Sequence, residues 1–403
     1  MAEQPPEATV PPPPLDPRLR RNVPLLGFTA LFNDTASEMA YWVLPYFITL
    51  LGAGPALLGV IEGGAESAAS LVRVFSGYLT DRQPRRKPLV VAGYLVANLV
   101  KPLLGWATAW PQVLALRVAD RGGKGFRGAP RDVMISESVD RAKLGAAFGL
   151  RQALDSAGAI LGPALAYWIM ARSAHNVRLV FWLAAIPGGI AVALAWGWLR
   201  ETGGAAPAVA KRPAAEEVRA PAAPAAAFPA AFYQLLAAVA LFGIANFSDM
   251  FLILRAQQLG ISPAGAPLLG LVFNAVFAGL SYPFGGLSDR WRRKWLIGSG
   301  YLLFAWVYWS FGVIHRAAWV WPLFAIYGLY QAMSAGVLSA LVAETVGPQA
   351  RGRAFGWVAS VAGGTALAAS VLAGWLWHRA GPALPFELAA VLAVIAAGLI
   401  FAL

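Results

Sequence analysis

The sequence predicts an all-α membrane protein, with twelve transmembrane helices arranged as two pseudo-symmetric six-helix bundles. Three observations predict this fold class. Of the 403 residues, 58% are hydrophobic and only 13% are charged, whereas a soluble domain carries about 45–50% apolar and about 25% charged residues. A transmembrane helix needs about 20 apolar residues, so this length holds about twelve spans with short loops. The two halves of the chain also share sequence motifs.

The same composition excludes several classes of protein. A mean hydropathy of +0.59 rules out a soluble enzyme, a disordered protein and a nucleic-acid-binding module, so the net charge of +12 is interpreted as a topology signal. The chain has no Cys and three His residues, His175, His315 and His378, all in predicted loops or at helix ends. We therefore expect no metal site, no cofactor and no enzymatic activity.

The apolar runs define the predicted helices in order. Residues 1–22 are proline-rich and end in a basic cluster, which predicts a disordered cytoplasmic tail. An Ala/Pro-rich segment, residues 200–228, predicts a linker between an N-terminal bundle, 23–199, and a C-terminal bundle, 229–403. The twelve runs are 23–50, 56–80, 88–108, 111–134, 144–171, 177–199, 229–257, 264–288, 294–314, 318–343, 352–378 and 383–403.

The loop charges predict the orientation of these helices. Most of the 32 Lys and Arg residues fall in loops on one side of the predicted bundle. Cytoplasmic loops carry an excess of Lys and Arg. The bias therefore predicts a multi-pass protein of the cytoplasmic (inner) membrane with both termini in the cytoplasm.

Three motifs recur in the two halves. Gly77-Tyr-Leu-Thr-Asp81-Arg82 ends the second run of the first half, and Gly285-Gly-Leu-Ser-Asp289-Arg290 ends the second run of the second half. The first helices share Ser37-Glu38-Met39 and Ser248-Asp249-Met250, and the fifth helices share the letters Ala-Phe-Gly. Parallel six-helix repeats are a transporter architecture.

With these motifs the chain resembles the major facilitator superfamily over residues 23–403. The resemblance rests on the loop signature G-x-L-x-D-R-x-G-R-[KR], present twice, although Pro84 and Arg292 occupy its second glycine. It implies an alternating-access carrier in which the signature residues lock a cytoplasmic gate; alternatively, the arginines are topology signals only. The gate residues implied are Gly77, Asp81, Arg82, Arg85, Gly285, Asp289, Arg290 and Arg293.

A second motif lies in the predicted fifth helix. Gly158-x-x-x-Gly162-Pro163 is similar to the G-x-x-x-G-P motif of the superfamily's proton-coupled exporters. That resemblance implies export. The alternative is close helix packing, because small residues four apart let two backbones approach.

Acidic residues are paired in the first two predicted helices. Asp34 and Glu38 are four residues apart, as are Glu62 and Glu66, so each pair lies on one helix face. Counting from the hairpin tip places Glu38 near the depth of Glu66, where two carboxylates would favour a shared proton. We expect proton coupling at Asp34, Glu38 and Glu66. The alternatives are that Asp34 neutralises Arg73 and that Glu62 lies near the outer surface.

The fourth predicted helix carries a charged stripe at spacings of three and four residues, formed by Arg117, Asp120, Arg121, Lys124 and Arg127. Charges facing lipid are costly, so the stripe must face protein or water. Depth counting pairs Lys101 with Asp120 and Asp155 with Lys124, which leaves Arg117 and Arg121 without partners. We expect these two arginines, with Lys124 and Asp155, to bind substrate, because a free guanidinium holds a carboxylate or phosphate bidentately.

The predicted helices of the second half are nearly free of charge. Their polar candidates for substrate binding are Asn246 and Asp249, with Asn274 and Gln331 nearby in aromatic surroundings. A cavity with one charged wall and one aromatic wall suits an amphipathic organic solute that can be anionic.

These observations predict a monomeric, proton-coupled exporter of a small amphipathic or anionic organic molecule, whose partners are that substrate, protons and the lipid bilayer, with no nucleic acid. Two alternatives remain. One is an importer or facilitator of an organic anion or a metal chelate. The other, from a different class, is a non-transporting membrane sensor or a lipid-modifying enzyme, although no catalytic constellation supports it.

Overall fold

The computed structural model describes residues 19–83, 85–140, 143–202, 228–346 and 350–403. Within these ranges the chain forms α-helices and short 3₁₀ turns, without a strand. The predicted tail before Leu19 and residues 203–227 of the predicted linker lie outside the described residues.

The first bundle consists of eight helical pieces that follow the predicted runs. Pro55, Pro88 and Pro111 lie in the first turns of α3, α4 and α5, where proline lacks only an N–H that would be unpaired anyway. The pieces are α1 (Asn22–Tyr41), α2 (Leu44–Leu50), α3 (Pro55–Arg82), α4 (Lys87–Leu104), α5 (Trp110–Glu137), α6 (Leu144–Arg172), α7 (Val177–Leu183) and α8 (Ala185–Gly197).

The second bundle repeats this order with one break fewer. Gly381 has a φ of +85° at the end of α14, a conformation that glycine adopts without strain and that turns the chain into the last helix. The pieces are α9 (Ala230–Ala245), α10 (Met250–Gln258), α11 (Ala266–Arg290), α12 (Arg293–Val313), α13 (Val320–Thr345), α14 (Arg351–Ala380) and α15 (Ala383–Phe401).

Nine segments of the described chain are long and apolar enough to cross a membrane. Six of them make up the second bundle, whereas the first bundle supplies three. The three other predicted spans, 23–50, 56–80 and 111–134, are also helical, but they contain the paired acids and the charged stripe. The prediction of an all-helical membrane protein is confirmed.

The first span of each bundle is broken at its middle. α1 gives way to α2 at Trp42–Val43, and α9 gives way to α10 at Asn246–Asp249. The first break lies just after Ser37-Glu38-Met39, and the second includes Ser248 and Asp249 and ends before Met250, so each break lies beside a copy of the repeated Ser-acid-Met motif. Discontinuous helices of this kind place polar groups at the centre of a transporter.

The two bundles pack closely at one end of the molecule. A Cβ on Gly63 of α3 would lie 3.1 Å from the Cα of Leu367 on α14, and a Cβ on Gly374 would lie 2.6 Å from the carbonyl oxygen of Pro55. Midway along the bundle, the Asn274 side chain of α11 donates to the carbonyl oxygen of Ala159 on α6 (3.0 Å). We call this the closed end.

The opposite end carries the basic loops, and we call it the arginine-rich end. Here the helices that touch at the closed end expose large side chains: Tyr282 of α11 is 91% exposed, and Phe75 of α3 and Trp357 of α14 are more than half exposed. The space between the bundles therefore opens toward the arginine-rich end.

The predicted linker begins as a docked segment. The amide of Asn22 donates to the carbonyl oxygen of Arg200 (3.0 Å), and the Arg200 N–H donates to the side-chain oxygen of Asn22 (3.0 Å). The Glu201 carboxylate accepts from the backbone N–H groups of Arg86 and Lys87 at the start of α4. Residues 200–202 are thus part of the first bundle, and they hold its helix ends together.

Candidate functional site

The charged stripe of α5 faces the protein interior, where Arg117 is paired. Its guanidinium donates to both carboxylate oxygens of Glu62 on α3 (2.8 and 2.9 Å) and to Asp120 (3.2 Å). The side chains of Arg117 and Glu62 are 5% and 1% exposed. The expectation that Arg117 lacks a partner is therefore wrong, and so is the alternative that Glu62 lies near the outer surface.

Arg121 is also paired, contrary to the prediction. Its Nε lies 3.0 Å from a carboxylate oxygen of Glu66, one turn of α3 below Glu62. The guanidinium groups of Arg117 and Arg121 lie 5.9 and 5.7 Å from the ring centroid of Tyr41 on α1. The prediction missed these ion pairs because counting residues from a loop compares the depths of consecutive helices only. α3 and α5 are not consecutive, since α4 lies between them in the chain, but they pack against each other.

The predicted pair of Lys101 and Asp120 is confirmed. The Lys101 ammonium lies 3.4 Å from an Asp120 carboxylate oxygen, and it donates to the carbonyl oxygen of Ala97 (2.7 Å) and to the side-chain oxygen of Asn98 (3.2 Å). These partners allow a charged ammonium in a fully buried place, because each donor has an acceptor.

A polar chain continues from Lys101 across the bundle. The Asn98 amide donates to the side-chain oxygen of Asn33 on α1 (3.0 Å), and the Asn33 amide donates to the Asp34 carboxylate (2.9 Å). Asp34 of α1 and Asp155 of α6 border the same cavity. The sequence analysis missed Asn33 and Asn98; two amides within apolar helices were the available signal.

The facing carboxyl groups are therefore those of α1 and α6. Asp155 pairs with Arg151 of its own helix (2.9 Å) rather than with Lys124, and Glu66 pairs with Arg121 rather than facing Glu38. The Asp34–Asp155 pair, as we call these two residues, borders a cavity of about 90 Å³ that Asn274 of α11 also lines. This cavity lies between the two bundles, so the pair faces the interface between them.

The acids of the repeated motif are held alike in the two halves. Glu38 accepts from the indole N–H of Trp42 (2.7 Å), and Asp249 accepts from the hydroxyl of Tyr327 (2.6 Å). Trp42 reaches the second bundle, where its ring lies 6.4 Å from that of Phe273 on α11. Each acid thus lies at a helix break with one aromatic donor.

The second bundle supplies an aromatic wall. The rings of Phe242 and Tyr301 stack at 3.7 Å with an interplanar angle of 3°, and both border a cavity of about 280 Å³. Asn246 and Gln331 are the polar amides in its lining, which continues along α13 and α14 toward the arginine-rich end. This wall suits the flat apolar part of a ligand.

Two cations of α5 lack ion pairs among the described residues. Lys124 has an exposed side chain, with no hydrogen bond or ion pair in that part of the chain. Arg127 is buried, its guanidinium lies 4.4 Å over the Tyr94 ring, and its Nε and one terminal nitrogen have no acceptor. Both line a small cavity with Glu38 and Arg121. The sequence analysis placed Arg127 on the charged stripe but not among the residues expected to bind substrate.

The gate signature is described in part. Gly77 and Gly285 lie within α3 and α11, and the Arg82 guanidinium lies 4.0 Å over the Tyr78 ring. Arg85 is exposed, and Arg293 pairs with Glu344 at 3.0 Å. The side chains of Asp81, Asp289 and Arg290 lie outside the described residues, and a gate role for the whole set stays a prediction.

Comparison with protein families gives one match. The model of the Major Facilitator Superfamily matches residues 26–363 and, in a second alignment, residues 235–403. The chain is 33% identical, over 94% of both chains, to an uncharacterised MFS-type transporter of Methanocaldococcus jannaschii. It is 28% identical to the multidrug resistance protein MdtH of Yersinia enterocolitica over 38% of this chain and 36% of that protein.

Solved structures show the same fold. A bacterial homologue of the human lysosomal transporter Spinster, in an inward-facing conformation, superposes with a TM-score of 0.75 at 15% identity and covers 96% of this chain and 97% of that one. A POT family transporter in complex with 5-aminolevulinic acid has a TM-score of 0.78 at 11% identity, over 95% and 96% of the two chains. At these identities the likeness concerns the fold alone.

Proposed function

The chain belongs to the Major Facilitator Superfamily, and from that premise we propose that it is a proton-coupled carrier of a small amphipathic organic anion. The family is one of membrane transporters, not of enzymes. One observation carries the proposal: charged side chains of α1 and α5 line a cavity in the first bundle, and aromatic side chains of α9, α12 and α13 line a cavity in the second. An amphipathic solute matches both linings.

The proton site that we propose is the Asp34–Asp155 pair, with Glu38 and Glu66 as further carriers. Two carboxyl groups that border one small cavity favour a shared proton, because two negative charges close together repel each other. The pair borders the interface between the bundles. Loading and release of its proton can therefore follow the motion of the bundles, which coupling requires.

Alternating access needs the arginine-rich end to close. We propose that this end faces the cytoplasm, that both termini lie there, and that the signature residues around Asp81 and Asp289 lock it. In this proposal the protein works as a monomer in the cytoplasmic membrane, because both cavities lie within one chain.

Export is the first candidate for direction. The partial similarity to the multidrug resistance protein MdtH supports it. The glycines of the exporter-like motif contact α1 beside the acids: a Cβ on Gly162 would lie 2.6 Å from the Cβ of Glu38. Uptake of an organic anion is the second candidate, favoured by the cations Lys124 and Arg127.

The test is direction-resolved flux in proteoliposomes that contain the full chain, for a panel of neutral, cationic and anionic amphiphiles, with and without a pH gradient. We expect the gradient to drive at least one solute of the panel. Asp34→Asn should lower gradient-driven flux at least about tenfold, since an amide cannot carry the proton, while expression persists. Asp140→Asn is the matched control, because Asp140 is half exposed and its ion pair with Arg20 lies at the surface.

A gradient that moves no solute of the panel would remove the proposed function. Full gradient-driven flux in both Asp34→Asn and Asp155→Asn would place the proton site elsewhere, with Glu38 and Glu66 next to be replaced.

A further inference from the structure

The charge balance of the α5 stripe is uneven. Glu62 neutralises Arg117, Glu66 neutralises Arg121, and Lys101 pairs with Asp120. The cations that remain are Lys124 and Arg127. The two residues that we expected to bind an anion are therefore engaged with protein carboxylates, and the surplus of positive charge lies one to two turns further along the same helix face.

Two observations at this place point to a ligand. The Nε and one terminal nitrogen of the buried Arg127 have no hydrogen-bond partner, and neither has the buried hydroxyl of Tyr94, the ring under the guanidinium. Buried polar groups are normally satisfied by protein, water or an ion. Arg127 and the exposed Lys124 border the same small cavity, of about 20 Å³, which is room for one compact polar group.

We infer that the anionic group of the substrate binds between Lys124 and Arg127, and that anion and proton bind together. This inference rests on the proposed function and names its substrate class, an aromatic monocarboxylate. The carboxylate enters the small cavity as an acceptor for the unpaired guanidinium N–H groups, and the ring extends toward the aromatic wall.

The electrostatic surroundings of the Asp34–Asp155 pair give the sign of the coupling. Asp34 lies near Lys124 and Arg127, so these cations interact with the carboxyl pair when the substrate is absent. A bound anion interacts with the two cations in place of the carboxyl pair, and this favours protonation of the pair. Protonation of the pair in turn favours binding of the anion. By reciprocal linkage the two ligands bind to the same state, which favours the second candidate for direction, uptake of the anion together with the proton, over export.

Every charged group that faces the pair enters this balance. α5 contributes Lys124, Arg127 and Arg131, α4 contributes Lys101, and α6 contributes Arg151, while Glu38 is one turn away on α1. α8 and the part of α11 near Asn274 carry no charged side chain. Within this set Lys101 is paired with Asp120, Arg131 with Asp132 and Arg151 with Asp155. Lys124 and Arg127 have no ion pair in the described part of the chain and share their cavity with Glu38, so an anion bound between the two cations would compete with the neighbouring acids.

The test uses three probes of one shape: 1-naphthoate, 1-naphthamide and 1-naphthylmethylammonium. Their binding to the full chain in nanodiscs is measured by calorimetry in two buffers of different ionisation enthalpy, which gives the number of protons exchanged. We expect 1-naphthoate to bind at least about tenfold more tightly than the amide, the difference that a charge-assisted hydrogen bond makes. Its binding should take up protons and weaken as the pH rises.

Variants separate the site from the coupling. Lys124→Ala should remove most of the preference for 1-naphthoate without endangering the fold, because Lys124 is exposed, whereas Lys143→Ala, which removes an exposed lysine at the arginine-rich end, should not. Arg127→Lys should keep part of the preference, since an ammonium keeps the charge but lacks the planar fork. Asp34→Asn should keep 1-naphthoate binding and abolish the proton uptake.

The inference is overturned by equal binding of 1-naphthoate and 1-naphthamide, by no binding of any probe, by an unchanged preference in Lys124→Ala, or by proton release on binding. If such a result accompanies pH-driven flux of other solutes in proteoliposomes, the proposed function stands and only the substrate class and coupling fall. Absence of pH-driven flux for every solute removes both.

Discussion

The two bundles share one architecture but differ in chemistry. The first has its charged side chains in buried pairs on α1, α3, α4, α5 and α6, and three of its predicted spans are too polar or too short to qualify as apolar segments. In the second bundle all six spans are apolar enough to cross a membrane. Aromatic rings fill its centre, such as those of Phe304 and Tyr308, which stack with their centroids 3.9 Å apart. In the proposed function, the duplicated scaffold separates two tasks: proton handling in the first bundle and contact with the apolar part of the solute in the second.

One pair of equivalent positions shows the limits of this separation. Glu38 and Asp249 derive from the same motif and both accept from an aromatic donor. Glu38, however, lines a cavity together with Lys124 and Arg121, whereas the donor to Asp249, Tyr327, stacks on Phe273 in the second bundle. Both halves of the repeat therefore have the acid, but the residues that surround it differ between the two bundles.

The largest effect that we expect concerns the buried pair of Arg117 and Glu62. Arg117→Met leaves a carboxylate that is 1% exposed without its partner, which costs about 3–5 kcal/mol of unfolding free energy. The double variant Arg117→Met/Glu62→Met should recover most of that loss, because it removes both charges. Unfolding by SDS in mixed micelles, followed by tryptophan fluorescence, measures both.

Asp132→Asn is the control for this experiment, since Asp132 pairs with Arg131 at the same helix but is half exposed. If Arg117→Met were as stable as the wild type, the buried charges of the first bundle would not contribute to its stability as we expect.

A smaller effect is expected in the aromatic wall. Tyr330→Leu removes a ring that lines the cavity of about 280 Å³ and should weaken binding of 1-naphthoate and 1-naphthamide alike, by about two- to tenfold for the loss of one aromatic contact. The number of protons exchanged should not change. Tyr233→Leu, at an exposed ring outside the cavity, should leave both affinities as they are.

Calorimetry with the two probes checks this prediction. A change in proton exchange, rather than in affinity, would show that the second bundle takes part in proton handling and would end the division of tasks.

The smallest effect is expected for the ion pair of Arg293 and Glu344 at the arginine-rich end of the second bundle. Its carboxylate is 60% exposed, and exposed pairs contribute about 0–1 kcal/mol. Glu344→Gln should therefore shift the unfolding free energy by less than about 1 kcal/mol. A loss as large as that of Arg117→Met in the same SDS titration would contradict the contrast between buried and exposed charge.

The sequence by itself determined the helical membrane fold, the two halves and the level at which Lys101 meets Asp120. These features depend on local properties: the length of an apolar run, the period of a helix, and a short loop that fixes the relative depth of two helices which also touch. The repeated Ser-acid-Met motifs mark corresponding positions in the first spans of the two halves, and only the structure shows that a helix break lies beside each of them.

Only the tertiary structure decided which charges meet. α3 lies against α5, and α6 lies against α1, although neither pair is consecutive, while α5 and α6 are consecutive and barely touch. Arg117 and Arg121 therefore found Glu62 and Glu66 rather than solvent, and Asp155 faced Asp34 instead of Lys124. Depth follows from counting residues along a hairpin, but lateral neighbours follow from packing all helices at once, and an ion pair needs both.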